Sequence, residues 1–389
     1  MRIAIVAHNL IYGDGQGRIN LEIARQALRA GAEVVLVSVT VDPELIRAGA
    51  VWEKVRVIKR PVLLRVVQFV AAANRIVDRL RASGRVDHVI ANGYTLTRPH
   101  DLNLCQFVHS AWLTSKIHNT ASKGVINRIY QAVYTRYNAR HERRSFGAAR
   151  KVIAPSRQTA DELRQLGVES AKVCVVPNGV ACSEFFPGTE SRSELGLPKG
   201  VPIALFVGNV RTNRKGLGSV LQALVNLPDV HLAVVGQTSG SPFIAMAAKL
   251  GLQQRTHFLG FRKDVARIMR ACDLFVFPSW YDPFGLVVTE AMASGLPVVT
   301  TERTGAGELL NDKCGTLVHD PADVAALSAA LRHWLSDSPR RSEAALACRT
   351  IAESHGWVAM AKSYLELLVE SPPLQSEREF GPDQASLAY

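Results

Sequence analysis

Short apolar runs recur along the chain, and most of them end in a glycine-containing turn followed by an amphipathic stretch. Residues 2–7 read as a buried strand, the loop Gly13-Asp14-Gly15-Gln16-Gly17 follows, and residues 19–29 have helical periodicity closed by Gly31. Val34-Val35-Leu36-Val37-Ser38-Val39 is the next strand, and residues 87–93 and 103–109 read as two more, each ending in a polar residue. The alternation restarts in the second half, with strands expected at 203–208, 232–236, 257–260, 273–277 and 296–300. Strand, glycine loop and helix repeating in both halves predict an α/β fold of two tandem Rossmann-like units around a cleft. Residues 188–200, which hold Gly196, Pro198 and Gly200 among polar residues, are the expected linker between units 1–187 and 201–355.

Composition agrees with two folded units. A chain of 389 residues is long for one core, and 47% hydrophobic with 21% charged residues excludes a disordered chain. No apolar run approaches the roughly 18 residues needed to span a bilayer, and residues 1–7 are too short an apolar segment for a signal peptide. The six cysteines lack C-x-x-C spacing, which suits a reducing cytosol and neither a disulfide framework nor a zinc site.

Charge adds a partner class. Net charge is +12, and the excess lies in the first 187 residues, with 27 Lys and Arg against 14 Asp and Glu; the remainder has 19 against 20. A basic face implies an anionic partner, namely nucleic acid, an acidic membrane surface or a phosphorylated acceptor; a solvated surface serving solubility is the alternative. Residues 51–85 mix Lys59, Arg60, Arg65 and other cations with the apolar stretch 61–70. That mixture suits a segment on an anionic bilayer, and equally a core helix with basic outward positions. Residues 116–151 are also basic, with Tyr130, Tyr134 and Tyr137 at the helical spacing of packed side chains.

The chemistry concentrates in residues 278–295. Gly285 marks a tight helix entry, residues 290–294 are good helix formers, and Gly295 with Pro297 stops the helix. Asp282 and Glu290 therefore flank a helix N-terminus whose unsatisfied N–H groups suit a phosphate, and the carboxylates suit sugar hydroxyls. Upstream, Arg211, Arg214 and Lys215 lie in a loop after a strand, three cations in five residues, as a diphosphate needs. Near the N-terminus, Gly15 and Gly17 allow close backbone approach to a ligand, but their G-x-G-x-G spacing is not a dinucleotide fingerprint.

Pro278-Ser279, Asp282-Pro283-Phe284-Gly285 and Glu290-Ala291-Met292-Ala293-Ser294-Gly295 resemble the E-x7-E signature of retaining GT-B glycosyltransferases of the glycogen-synthase-like group. That family-4-like group includes lipopolysaccharide-core glucosyltransferases and bacterial mannosyltransferases. The resemblance runs from residue 1 to about 370 and is more specific in the second half. Asp282 stands where the family has its first Glu, Asn209 where it usually has Arg, and Ala181 where it has Asp. The resemblance implies a GT-B fold, with two Rossmann-like domains facing a central cleft, closing strands of the first domain near 150–156 and 173–180, and a helix at 356–370 crossing back to the first domain; residues 371–389, with Pro372, Pro373 and many polar residues, are expected to be a disordered tail.

It further implies a nucleotide-sugar donor held by Gly15, Gly17, Arg211, Arg214, Lys215, Phe284, Gly285, Leu286 and Glu290, with His109 and Asp282 beside the sugar. His109, Asp282, Glu290 and Lys215 are the expected catalytic set, acting without a metal or other cofactor, since no D-x-D motif is present. The expected activity is retaining hexosyl transfer to a glycan or lipid-linked acceptor in bacterial cell-surface polysaccharide or lipopolysaccharide synthesis. Expected with it are a cytoplasmic location, possible contact of the basic domain with an anionic membrane surface, and no nucleic-acid partner. A catalytically silent nucleotide-sugar-binding subunit, a GT-B-fold epimerase or phosphorylase, and a dehydrogenase are the competing readings.

Overall fold

The computed structural model describes residues 1–113 and 125–370; the tail 371–389 lies outside the described residues. The strands, in order, are β1 (Arg2–Val6), β2 (Asn9–Leu10), β3 (Glu33–Ser38), β4 (Thr40–Val41), β5 (Val51–Lys54), β6 (His88–Asn92), β7 (His100–Leu104), β8 (Ala149–Ala154), β9 (Val173–Val175), β10 (Ile203–Val207), β11 (His231–Val235), β12 (Thr256–Gly260), β13 (Leu274–Phe277), β14 (Val298–Thr301) and β15 (Gly315–Val318). They build a seven-stranded sheet, β5-β3-β1-β6-β7-β8-β9, and a six-stranded sheet, β12-β11-β10-β13-β14-β15, with β2 and β4 forming a small ladder of their own. Every pairing is parallel, and β1 is the hub of the first sheet, in register with β3 (Ile3 to Val34) and β6 (Ile3 to His88). Val, Ile, Leu and Ala fill these strands because both faces of each sheet are covered by helices.

The helices are α1 (Gly15–Arg29), α2 (Pro43–Arg47), α3 (Val62–Ala82), α4 (His109–Leu113), α5 (Val125–Ala148), α6 (Arg157–Gln165), α7 (Leu217–Val225), α8 (Phe243–Lys249), α9 (Val265–Ala271), α10 (Leu286–Ala293), α11 (Val324–Leu335), α12 (Ser338–Ser354) and α13 (Trp357–Val369). Helix α3 resolves the basic segment at 51–85: Val66, Phe69, Val70, Ala73, Val77 and Leu80 are its buried residues, four of them in the core on the first sheet, and Arg75 and Arg79 are exposed while Arg81 is partly buried. Full burial of each large member contributes about 1.5–3 kcal/mol. Val62, Leu64 and Val67 nonetheless remain exposed on its first two turns.

Three local expectations change. The strand expected at 103–109 runs instead over His100–Leu104, because polar residues lie inside this sheet: Asp101 accepts from Val89 N (2.8 Å), and Asn103 Nδ2 donates to Gly93 O (3.0 Å) and Ser145 Oγ (2.8 Å). His109 consequently starts a helix and does not end a strand. Helix α1 begins at Gly15, four residues before the apolar periodicity does, so Gly15 and Gly17 belong to its first turn. Residues 188–200 are clamped to the second half. Glu190 pairs with Arg267 and Arg270, Arg192 pairs with Asp273, and Leu195 and Leu197 enter the core there.

After α12 has packed into the second core through Ala344, Cys348 and Ala352, α13 returns to the first. Its Met360, Ala361, Tyr364 and Leu368 join the core beneath β1 and α1. Gly179 permits this return, since a β-carbon there would lie 2.6 Å from the Trp357 backbone.

Candidate active site

The loop between β13 and α10 places the acidic pair. Asp282 N donates to Arg303 O (3.0 Å) and Gly305 N to Asp282 O (3.0 Å), so the loop is stitched to the turn after β14. Gly285 caps α10 with φ 89°, a left-handed conformation that favours glycine, and a β-carbon there would meet Thr304 Cγ2 at 2.8 Å. Phe284 is a core residue at 3% exposure, anchoring the loop.

Lys215 ends a short turn, Asn213–Lys215, after β10. Gly216 follows at φ 80° directly over Pro278 O, which accounts for the absence of a side chain there. The Lys215 ammonium is ion-paired with Asp282 Oδ2 and lies 5.1 Å from the Phe277 ring centroid. Burial pushes the Lys215 amine down, the Asp282 carboxylate opposes that, and neighbouring Arg214 adds to the depression. Arg214 Nη1 donates to Tyr281 O (3.5 Å) and so stays with this cluster. Arg211 does not: its Nε donates to Ser239 O (2.9 Å), so the second charge in the loop comes from Arg214.

Glu290 lies on α10, half-buried, and its carboxyl is pushed up to about 7 by burial first and the Glu184 carboxylate second, with Arg18 pulling the other way. Arg18 belongs to α1, so the first half already reaches this acid. At the same junction a β-carbon on Gly15 would sit 3.4 Å from Leu286 Cδ1. The first turns of α1 and α10 therefore face each other, and neither helix has a hydrogen bond accepted by an N-cap side chain: Asp14 accepts from Asn9 Nδ2 and Gly285 has none. Helix N-termini favour anions, and the Asp282–Lys215 pair lies on the α10 side of this junction, with Gly285 next to the Asp282 carboxylate. Gly17 has a packing reason of its own, because a β-carbon would lie 3.1 Å from Ile11 O.

His109 faces a cleft at the carboxyl ends of β1, β6 and β7. Its Nδ1 is 2.5 Å from Glu142 Oε1, its backbone N–H donates to Glu142 Oε2 (2.9 Å), and Asn138 Nδ2 approaches Nε2 at 3.3 Å. Glu142 is 1% exposed and fixes the ring. His8, Asn9, Asn20, Asn92, Gln106 and Tyr94 line the same cleft, with Asp14 and Glu142. Burial lowers His8 to about 4, and Arg65 nearby adds to the shift. Asn92, Gly93 and His109 were expected at a cleft from their places at strand ends, and all three line it. Glu142, Asn138, Asn9 and Asn20 were not read from sequence, where no spacing marks them.

The structure thus gathers Asp282, Lys215, Arg214, Gly285, Leu286 and Gly15 at one junction, with Glu290 beside Arg18, and puts His109 in the first-half cleft. Among the described residues no group of three or more His, Cys, Asp or Glu side chains is placed to hold a metal ion.

Comparison with known proteins follows the same division into halves. Residues 13–184 match the model for Glycosyltransferase Family 4, and residues 188–350 the model for Glycosyl transferases group 1. The lipopolysaccharide glucosyltransferase WaaG of Escherichia coli (strain K12) is 30% identical over 248 residues, spanning 60% of this chain and 66% of that protein. The D-inositol 3-phosphate glycosyltransferase of Xylanimonas cellulosilytica is 34% identical over 250 residues, spanning 59% of each. The chain thus spans about two thirds or less of the length of these curated relatives. In fold, it matches the crystal structure of WaaG with a TM-score of 0.75 at 23% identity, covering 95% of this chain and 100% of that one. Anabaena Alr3699/HepE in complex with UDP and glucose matches at 0.69 and 20%, covering 95% and 100%. Two consecutive glycosyltransferase domains on two parallel-sheet halves, with an acid–x7–acid loop opposite a glycine-rich helix start, place the chain in the family-4-like GT-B glycosyltransferases.

Proposed function

We propose that this protein is a retaining, metal-independent hexosyltransferase using a nucleoside-diphosphate sugar. The observation that carries the reading is the approach of the α1 start, at Gly15, to the first residue of α10, Leu286, with the Asp282–Lys215 pair on the α10 side. Such a junction concentrates positive potential where a diphosphate leaving group gains charge, the work that a divalent ion does in other transferases. Arg214 adds to that potential, Glu290 receives ribose hydroxyls, and His109 with Asp282 positions the sugar. The acceptor oxygen bonds to the anomeric carbon on the face from which the diphosphate departs. The anomeric carbon–oxygen bond breaks, and the acceptor proton passes to the leaving phosphate oxygen. HepE, a neighbour in fold, is described with UDP and glucose, which favours a donor of this class.

The acceptor is a hydroxyl-rich glycan, free or lipid-linked, of cell-surface polysaccharide or lipopolysaccharide synthesis. The carboxamides and carboxylates lining the cleft beside His109 suit sugar hydroxyls. Exposed Ile58, Val62, Leu64 and Val67 beside Lys59 and Arg60 suit peripheral contact with an anionic bilayer. Among the described residues no helix is long and apolar enough to cross one.

The test is release of free nucleotide from a panel of UDP-, GDP-, ADP- and dTDP-sugars, in the presence and absence of EDTA. Slow release from one donor, unchanged by EDTA and abolished in Lys215→Ala and Glu290→Ala, is expected. Failure of every nucleotide to bind overturns the reading, and loss of turnover in EDTA overturns its metal-independent part.

A further inference from the structure

Tyr281 belongs to the second half by sequence and to the first by contact. It precedes Asp282, is 6% exposed, and lies against two first-half aromatics: Phe107 edge-on at 5.3 Å and Trp112 stacked at 5.8 Å. Its hydroxyl donates to Glu162 Oε2 (2.9 Å) on α6 and accepts from Val108 N (3.4 Å). Val108 directly precedes His109, as Tyr281 directly precedes Asp282. One side chain therefore joins the loop that carries Asp282 to the loop that carries His109, with a single peptide on either side.

The neighbouring contacts run between the same segments. Pro283 O accepts from Ser156 Oγ (2.8 Å) and Thr159 Oγ1 (3.3 Å), and the Glu308 carboxylate accepts from Arg157 N (2.8 Å) and Gln158 N (2.9 Å). The α6 N-terminus is thus capped from its own half by Ser156 and from the other half by Glu308. A side chain needed only for packing would serve as phenylalanine. A buried phenol and a half-buried carboxyl from opposite halves each cost desolvation, which is offset only when the two halves sit at one spacing. That makes the contact selective for one arrangement of the cleft rather than generally adhesive.

We propose that Tyr281 is a positioning residue that sets the spacing of His109 from the Asp282–Lys215 pair. This inference rests on the transferase reading, because misplacement of reacting groups by about 1 Å lowers rates by about a hundredfold. The hydroxyl touches neither the phosphate junction nor Glu290, so it acts on turnover and not on nucleotide affinity.

The experiment uses the full chain and the variants Tyr281→Phe and Glu162→Gln, which keep the shape of each side chain. Steady-state kinetics on the donor identified above are combined with backbone hydrogen exchange at Val108. Both variants are expected to lower kcat at least tenfold, leave KM for the donor and the Kd for free nucleotide within about threefold, and speed exchange of the Val108 amide at least tenfold. Turnover equal to the wild type, or unchanged protection at Val108, overturns the proposal. A fall in nucleotide affinity as large as the fall in kcat also overturns it, since that pattern belongs to general loss of structure. If the wild type turns over no donor, the transferase reading fails by itself, and the exchange comparison still decides whether the hydroxyl joins the halves.

Discussion

Lys215 and Asp282 are ion-paired with each other, although each stands where a donor would be met. Their side chains are 10% and 15% exposed, so each neutralises the other in a poorly solvated place. On the proposed reading, a donor diphosphate entering beside Lys215 would compete for its proton donors and free Asp282 toward sugar hydroxyls.

Asp282→Asn should therefore destabilise the free protein by roughly 1–3 kcal/mol, because the Lys215 ammonium loses its charged partner. Urea denaturation measures the loss. UDP at saturating concentration should recover more stability in this variant than in the wild type, read as a larger rise in Tm. An equal rise in both proteins would show that the diphosphate does not reach Lys215.

Glu290 should make both stability and nucleotide binding depend on pH. Its folded-state carboxyl titrates near 7, above the ordinary carboxylate value near 4.3, so the folded state holds a proton that the unfolded state has lost. Its contribution to stability is present below about pH 4.3, declines as pH rises to about 7, and is flat above. Ribose hydroxyls favour the ionised form, so nucleotide binding should release a proton near pH 6.5 and tighten toward pH 8. Titration calorimetry in buffers of different ionisation enthalpy detects the release. Glu290→Gln should abolish it and flatten the pH dependence.

Glu142→Gln should leave nucleotide affinity unchanged and lower kcat by roughly ten- to a hundredfold, because the His109 ring loses the carboxylate that holds Nδ1. Asn138→Ala should give a smaller loss in the same direction, its amide meeting Nε2 at the longer distance of 3.3 Å. Donor KM and kcat measured separately decide the matter. A change confined to KM would place His109 in ground-state binding.

Gly216→Ala should be among the most damaging single substitutions. The new β-carbon would lie 2.0 Å from Pro278 O, and φ at this residue is 80°. Strain of about 1–3 kcal/mol from the backbone alone adds to a clash that the loop can relieve only by moving Lys215. Loss of donor turnover together with a lowered Tm is the expected result. The exposed Gly240, at φ 75° with open space around it, should lose stability from strain alone when replaced by Ala and keep its turnover.

Much of the architecture was legible because parallel strands buried on both faces write themselves as apolar runs. Residues 203–208 and 273–277 became β10 and β13 with little change in bounds. The reading failed where polar residues are buried in a strand. His100, Asp101 and Asn103 lie inside the first sheet at 0% exposure and hydrogen-bond with Arg98 O, Val89 N, Gly93 O and Ser145, and no local periodicity announces partners as far away as Ser145. It failed again at Gly15, where the helix begins among glycines before its apolar stripe does.

The sequence by itself determined the two α/β halves, the helix start at Gly285 with Asp282 and Glu290 on either side, and the cationic loop 211–215, because each depends on residues within one or two turns of each other. Tertiary structure alone decided that Lys215 pairs with Asp282, that Arg211 turns away to Ser239 while Arg214 stays, that Glu142 holds His109, and that Tyr281 crosses to Glu162. Those are choices among equally charged or equally polar candidates. Distance and desolvation make them, and both exist only once the two sheets face each other.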